Sequence, residues 1–514
     1  MRKPEVGPSW PRAAAGDGVL TEDSPALPAK KAVKYVALAS FDAQPLADAA
    51  GYELELNWPT NTRGTVLLNG QELTGTVPGM VYNRIPAIPT ALLKQGANEL
   101  AVRAEATSDS ARRQRGFSMR LRAVKASDLA YTITPIVGQV GDDFFTVCAL
   151  TNLPTAMTLQ IAGPDGKTID KAGSKSEFSH QFRIEGLAPG VYKYTASASL
   201  ASVDGATPVT AKGEVKVGPV GDKWRLVALG DSRSDPKAWR KVILAAGKQN
   251  PALIIHSGDL VANGADYDSW PRDFSSPASE VLASTPFYPV WGNHDGTGLM
   301  LDRIFSLPGV SDRWAQERGG LLMIGIDGTA NWKPASPNYA WLEKTLAQSK
   351  APYILLVTHY PPVSSSGHGK LAEDGLPAEQ PMRVGRQTIM PLLERYGVQA
   401  IIAGHDHCYE RSEVNGLITV IITGGAGAPA YGKASDAKVR NPYGQVFEST
   451  PHFTVFDVSP ESVAMQALTP EGRVIDTRSW KPRDLSALPR EVKPEVFTQP
   501  VTTSTPTTTQ AAAH

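Results

Sequence analysis

The pattern of hydrophobic and polar positions changes twice along the chain. Up to about Lys125, short stretches alternate at period two: Tyr52, Leu54, Leu56 and Trp58 are separated by Glu53, Glu55 and Asn57, and Met119, Leu121 and Ala123 by Arg120 and Arg122. Successive side chains of a strand point to opposite faces, so this alternation predicts half-buried strands, with Asn69-Gly70 as a tight turn between two of them. A first β-sandwich is predicted over 30–126 and a second over 127–218. The clearest signal in the second is GLAPGVYKYTA, where Pro189-Gly190 turns the chain and Tyr192 and Tyr194 alternate into a strand.

From Lys223 the alternation gives way to continuous apolar runs, RLVALGD, ALIIHSGD, FYPVWGNHD, LLMIGID, YILLVTH and AIIAGHDH, spaced by helix-like stretches at 236–249, 338–349 and 388–396. Strands buried on both faces read in this way, and their alternation with helices predicts a layered α/β domain over 219–480. After Ile418 the helical pattern stops and strand-like runs such as FTVFDV and SVAMQAL follow. Residues 1–29 hold five prolines without periodicity and read as a disordered leader, and the Thr/Pro-rich stretch 481–514 reads as an unstructured tail.

Composition narrows the function. The chain has 514 residues, 41% hydrophobic and 20% charged, enough for several cores and incompatible with disorder throughout. Lys+Arg and Asp+Glu balance at 51 each, so no positive field draws nucleic acid or an anionic membrane. With two cysteines, Cys148 and Cys408, neither a disulfide framework nor a four-cysteine zinc site is possible; a metal must be held by oxygen and imidazole. No apolar run reaches the roughly 18 residues that span a bilayer, so no transmembrane segment is expected. The first twenty residues lack the apolar segment of a secretory signal, so either the protein is not exported by that route or the signal is missing from this chain. Seven of the nine histidines fall between 256 and 452.

In open α/β sheets ligands gather beyond the carboxyl ends of strands. Five apolar runs end there in a metal-competent group: Asp231, Asp259, Asn293-His294, His359, and His405-x-His407. A single Gly-Asp pair means little, since others at 16–17, 141–142 and 221–222 read as turns, and His256 inside its run reads as a core histidine. The ordered conjunction of two Asp, one Asn and three His at strand ends is what points to a site. His405 and His407, two apart on an extended segment, face the same way. Carboxylate, amide oxygen and imidazole together suit Zn, Mn or Fe.

The order GD (230–231), GD (258–259), GNHD (292–295), His359 and GHDH (404–407) resembles the calcineurin-like metallophosphoesterases, specifically their purple acid phosphatase branch, over about 180 residues. The resemblance implies a four-layer α/β/β/α catalytic domain holding two divalent metal ions. Asp259 would bridge them, Asp231 and His407 would complete the first site, and Asn293, His359 and His405 the second. It also implies hydrolysis of a small phosphorylated substrate, a phosphate monoester before a diester, by a metal-bridging hydroxide. His294 would serve as general acid, Asp295 would orient it through the imidazole N–H, and His368 would face the substrate from the loop HYPPVSSSGHGK. An extracellular or periplasmic location is implied in the same way. GLAPGVYKYTA resembles the fibronectin-III-like domain that precedes many such catalytic domains. VLLNGQELTG and IPTALLKQGANELAVRAEA resemble galactose-binding-like jelly rolls, which leaves a glycan or surface contact open for the first sandwich, and with it the alternative of a surface-binding protein whose phosphatase domain has decayed.

Two positions depart from the family pattern, both at the first metal. Arg233 stands where many members have the His of Asp-x-His, and Ala262 stands where purple enzymes carry the tyrosine that colours ferric iron. A colourless divalent-metal centre is expected, with Arg233 either contacting the substrate phosphate through its planar fork or pairing with a nearby carboxylate.

Overall fold

The computed structural model describes residues 32–491, apart from 44, 58–62, 74–83, 108–117, 174–176, 201–206, 297–298, 437–438 and 440. The expected leader, Trp58 of the first alternating stretch and most of the Thr/Pro-rich tail lie outside the described residues.

Two antiparallel sheets form the first unit. One has the order Ala32–Ala43, Gly96–Thr107, Arg63–Leu68, Gln71–Glu72, and the other Arg84–Ile88, Ala49–Asn57, Ser118–Lys125. Alternation sends Tyr52 and Leu54 from the second sheet against Val66, Leu68 and Leu100 from the first, which closes the core between them. The second unit is organised by one long strand, Phe145–Ala162, which pairs along its length with Tyr131–Val140, Thr168–Ala172, Glu177–Ile184 and Gly190–Leu200. Tyr192 and Tyr194 point inward from Gly190–Leu200, as their alternation predicts.

This second unit is more than a spacer. Ile133, Ile136, Leu150 and Phe178 belong to the same hydrophobic core as Trp239, Trp270, Phe274 and Phe287 of the α/β domain. Polar contacts continue the junction: the Arg318 guanidinium donates to the carbonyls of Val140 (3.1 Å) and Gly218 (2.9 Å), and the Tyr194 hydroxyl to that of Ala283 (2.9 Å).

The α/β domain stacks two sheets. The first has the order Phe287–Pro289, Leu253–His256, Trp224–Leu229, Phe453–Val458, Val463–Leu468, Val474–Trp480. The second runs Gly309–Val310, Arg313–Arg318, Leu321–Ile326, Tyr353–Val357, Ala400–Ala403, Ile418–Thr423, Tyr409–Val414, Gly444–Glu448. Leu226 and Ala228 face the opposite sheet, where they meet Met323, Leu355 and Ile402, while Val227 and Leu229 face the helical layer. Both faces are covered, and for that reason the strands read as unbroken apolar runs. Helix Pro236–Gly247 is amphipathic, capped by the Asp235 carboxylate on the backbone N–H groups of Lys237 and Ala238, and buries Trp239, Val242, Ile243 and Ala246 against one sheet. Helices Pro337–Gln348 and Met390–Arg395 cover the other.

The end of this domain corrects one expectation. Residues 481–491 are not an unstructured tail: the Arg483 guanidinium donates to the carbonyls of Ala351 and Tyr396 (each 2.7 Å), and the backbone N–H of Arg490 to that of Arg395 (2.8 Å). Among the described residues no helix is long and apolar enough to cross a membrane.

Candidate metal centre

The strands Trp224–Leu229, Leu253–His256 and Phe287–Pro289 run parallel in one sheet, and Tyr353–Val357 and Ala400–Ala403 run parallel in the other. Their carboxyl ends meet at one edge of the stack, where the sequence places Asp231, Asp259, Asn293-His294, His359 and His405-x-His407. The turns there are tight. Asp231, Asp259 and His405 adopt left-handed φ values of 58°, 60° and 70°, a conformation rarely taken by residues other than glycine. A side chain at Gly404 would collide with the Asp231 carboxylate, and one at Gly292 with Asp259. Such crowding fixes the donor groups before any ligand arrives.

Four donors converge on one point. Asn293 Oδ1 lies 3.0 Å from both His359 Nε2 and His405 Nδ1, those two nitrogens are 3.2 Å apart, and Asp259 Oδ1 is 3.5 Å from His359 Nε2. The outward nitrogens settle the tautomers. His359 Nδ1 faces the Ser257 carbonyl (2.9 Å) and must donate to it; His405 Nε2 faces a Glu379 carboxylate oxygen (2.8 Å) and does the same. In the neutral rings both inward nitrogens are therefore lone pairs, pointing at an amide oxygen and a carboxylate with no proton among them. Burial pulls the His359 pKa down to about 4, which keeps that ring neutral. Lone pairs facing lone pairs repel unless a cation lies between them, so this donor set fits a divalent metal. Asp231, Asp259 and His359 also form a buried group that could hold an ion.

The neighbouring donors are arranged differently. His407 Nδ1 donates to the Pro429 carbonyl (2.8 Å), which leaves Nε2 as its lone pair, 3.6 Å from Asp231 Oδ1. That lone pair accepts from Arg233 Nη2 at 3.2 Å, while Arg233 Nε donates to Asp259 Oδ2 at 3.1 Å. Of the two roles open for Arg233, the structure shows carboxylate pairing rather than a fork free for substrate. Asp231 is fully buried, and burial together with the nearby Asp259 pushes its pKa up.

His294 Nδ1 donates to the Ala262 carbonyl (2.8 Å), leaving Nε2 on the open side, 4.0 Å from Asp259 Oδ2. Asp295 does not orient that imidazole, contrary to expectation. Its carboxylate instead accepts from four backbone N–H groups, those of Leu260 (2.7 Å) and Val261 (3.3 Å) on one oxygen and of Asp259 (2.8 Å) and Gly292 (2.9 Å) on the other, tying the two ligand loops together. His368 lies over His405, ring centroids 4.0 Å apart, and pairs through Nδ1 with Glu379. His256 is buried and satisfied, accepting from Gly258 N–H (3.2 Å) and donating to Ser232 Oγ (3.1 Å). Cys408 is buried and takes no part.

Two contributors escaped the sequence reading. Glu379 links His368 to His405 from a loop with no strand-end signature. Tyr431 stacks on His407 (centroids 4.0 Å apart) from the glycine-rich loop after Ile418–Thr423, a sixth strand end on this edge with no Asp, Asn or His just beyond it. Its signal was the run VIITGGAG, which ends like the others.

The fold and the convergent donors define a metallophosphoesterase centre. A family model for calcineurin-like phosphoesterases matches residues 225–409, the segment containing Asp231, Asp259, Asn293, His359, His405 and His407. This domain belongs to the calcineurin-like metallophosphoesterases and is related to the purple acid phosphatases. Mouse (Mus musculus) tartrate-resistant acid phosphatase type 5 is 24% identical over 319 residues, 52% of this chain and 91% of that protein. A protein of Arabidopsis thaliana described as a probable inactive purple acid phosphatase, number 27, is 20% identical over 246 residues, 43% of this chain and 37% of that one. The structure of a purple acid phosphatase from yellow lupin (Lupinus luteus) seeds superposes with a TM-score of 0.60 at 16% identity, covering 93% of this chain and 97% of that chain. Family members are generally hydrolases with dinuclear metal centres, though some relatives are described as probable inactive.

Proposed function

We infer that the chain hydrolyses phosphate monoesters at this centre. The observation that carries the reading is the set of unprotonated donors, Asn293 Oδ1, His359 Nε2, His405 Nδ1 and Asp259 Oδ1, gathered beside the free Nε2 of His294. A bound divalent ion, Zn, Mn or Fe, would supply Lewis acidity toward the phosphoryl oxygens. The chain's own groups supply the rest. The Ala262 carbonyl holds the His294 ring so that Nε2 faces the open side, and with 34% of the side chain exposed a proton taken up on that nitrogen would be placed to pass to the departing alkoxide. Glu379, hydrogen-bonded to His368, raises the pKa of that ring and so favours its cationic form on the side an anionic ester would approach. Asp295 fixes the spacing of the Asp259 and Asn293 loops.

The test is phosphate release from an aryl phosphate monoester and the matching diester at equal concentration, with Zn, Mn or Fe supplied. The monoester should be the faster substrate; a diester rate about tenfold higher or more would make the protein a phosphodiesterase. His294→Ala should lower turnover by roughly 10²–10⁴-fold with metal content unchanged. A second reading, a surface- or glycan-binding protein whose centre has decayed, is favoured by the guanidinium seated among the ligands and by relatives described as probable inactive. No metal uptake and no turnover under any of these conditions would select it. Location outside the cytoplasm goes with the enzyme reading and is tested by fractionating the producing cells.

A further inference from the structure

The two halves of the centre are unequal. Around Asn293 the donors leave three lone pairs and a carboxylate oxygen facing one another; Asp259 Oδ1 accepts the backbone N–H of His294 (2.9 Å), and among the described residues no cationic side chain is hydrogen-bonded to the other three. Around His407 the corresponding position is filled by the chain itself. Arg233 donates from Nε to Asp259 Oδ2 (3.1 Å), from Nη2 to His407 Nε2 (3.2 Å) and from Nη1 to Ser234 Oγ (3.3 Å), and its side chain is only 14% exposed. The His407 contact matters most. Since Nδ1 is committed to the Pro429 carbonyl, Nε2 is the single lone pair this ring can offer a metal, and Arg233 already uses it. The position also lacks a fourth donor in either form the resemblance offers: Arg233 stands in place of the imidazole of Asp-x-His, and Ala262 brings no phenolate instead. A cation here would find three donors, two of them, His407 Nε2 and Asp259 Oδ2, already engaged by Arg233, and would have to displace its guanidinium.

We propose that this chain binds a single divalent metal, in the cage of Asn293, His359, His405 and Asp259, and that the Arg233 guanidinium stands as a permanent cation where the family's other metal lies. The charges agree. Asp231 and Asp259 carry at most two negative charges against the three positive charges of one divalent ion and Arg233, so the protein and its single ion keep a net positive charge toward an anionic ester. A fixed guanidinium cannot, however, leave or exchange, so metal dependence should show one class of site.

The proposal rests on the metal-centre reading above but is tested by stoichiometry, so the two fail separately. The full chain, stripped with chelator and dialysed against excess Zn(II) or Mn(II), is analysed for metal per chain. The wild type should retain one ion, and Arg233→His, which rebuilds the Asp-x-His ligand, should retain two. Electron paramagnetic resonance of the Mn(II)-loaded wild type provides a reading that needs no variant: it should give the hyperfine-resolved spectrum of an isolated ion. Two ions in the wild type, with the broadened spectrum of an exchange-coupled pair, would overturn the proposal and leave the metal-centre reading intact. One ion in both proteins would overturn the role given to Arg233. No ion in either would overturn both readings.

Discussion

Asp295 offers the sharpest test of how the centre is held together. Its buried carboxylate is the sole acceptor for two pairs of backbone N–H groups, Leu260 and Val261 on one oxygen, Asp259 and Gly292 on the other. Burial and the neighbouring Asp259 push its pKa up, whereas the four N–H donors favour the ionised form. In Asp295→Asn one oxygen becomes an NH₂, so two backbone donors lose their acceptor and confront another donor. At about 1.5–3 kcal/mol for each bond to a charged partner, the loss is roughly 3–6 kcal/mol. In a domain of this size that corresponds to a Tm lower by roughly 6–15 °C. Calorimetry on the metal-free protein measures it without interference from metal binding. Were Asp295 instead an orienter of His294, the variant would lose turnover and unfold at nearly the wild-type temperature. A Tm within about 2 °C of wild type would therefore refute the backbone-clamp account.

Three further outcomes are expected from the geometry. Glu379→Gln keeps the shape but removes the charge that accepts from His405 Nε2 (2.8 Å), so metal affinity should fall about 10-fold, read by competition with a chelating dye; unchanged affinity would remove Glu379 from the centre. Burial raises the pKa of Glu394 from 4.5 to about 7, so the folded chain binds one proton more than the unfolded chain between those values. Stability should therefore fall as pH rises through that window, by up to about 3 kcal/mol, and Glu394→Gln should flatten that part of the Tm–pH profile; a parallel profile would show that Glu394 does not titrate there. With Ala262 where a phenolate would be needed, the protein loaded with ferric iron should lack a visible charge-transfer band, and a purple preparation would require another phenolate ligand.

The ligand residues were legible in the sequence because each is tied to a local pattern: an apolar run buried on both faces must stop, and the residues just beyond it sit at the sheet edge. Asp231, Asp259, His359 and His405 all obey that rule. What could not be read is whatever depends on pairing between distant loops. Glu379 reaches His405 from 26 positions away, and Arg233 reaches His407 from 174. Asp295 looked like a partner for the adjacent imidazole, yet its carboxylate turns to backbone N–H groups some 35 residues earlier, a choice set by loop geometry that adjacency does not reveal. The boundary near 480 failed for a similar reason: Thr/Pro-rich composition hid the hold that Arg483 takes on two carbonyls of the α/β domain.

The core shared between the second β unit and the α/β domain affects how the molecule comes apart. Ile133, Ile136, Leu150 and Phe178 lose their cover if the chain is cut near 218, and so do Trp270 and Phe274 on the other side. A fragment beginning at 219 would carry all the chemistry yet present a raw apolar face to water, a surface that promotes aggregation. The smallest folding unit around this centre is thus larger than its family signature: the β unit in front of it is a wall of the same room, and the two should melt together.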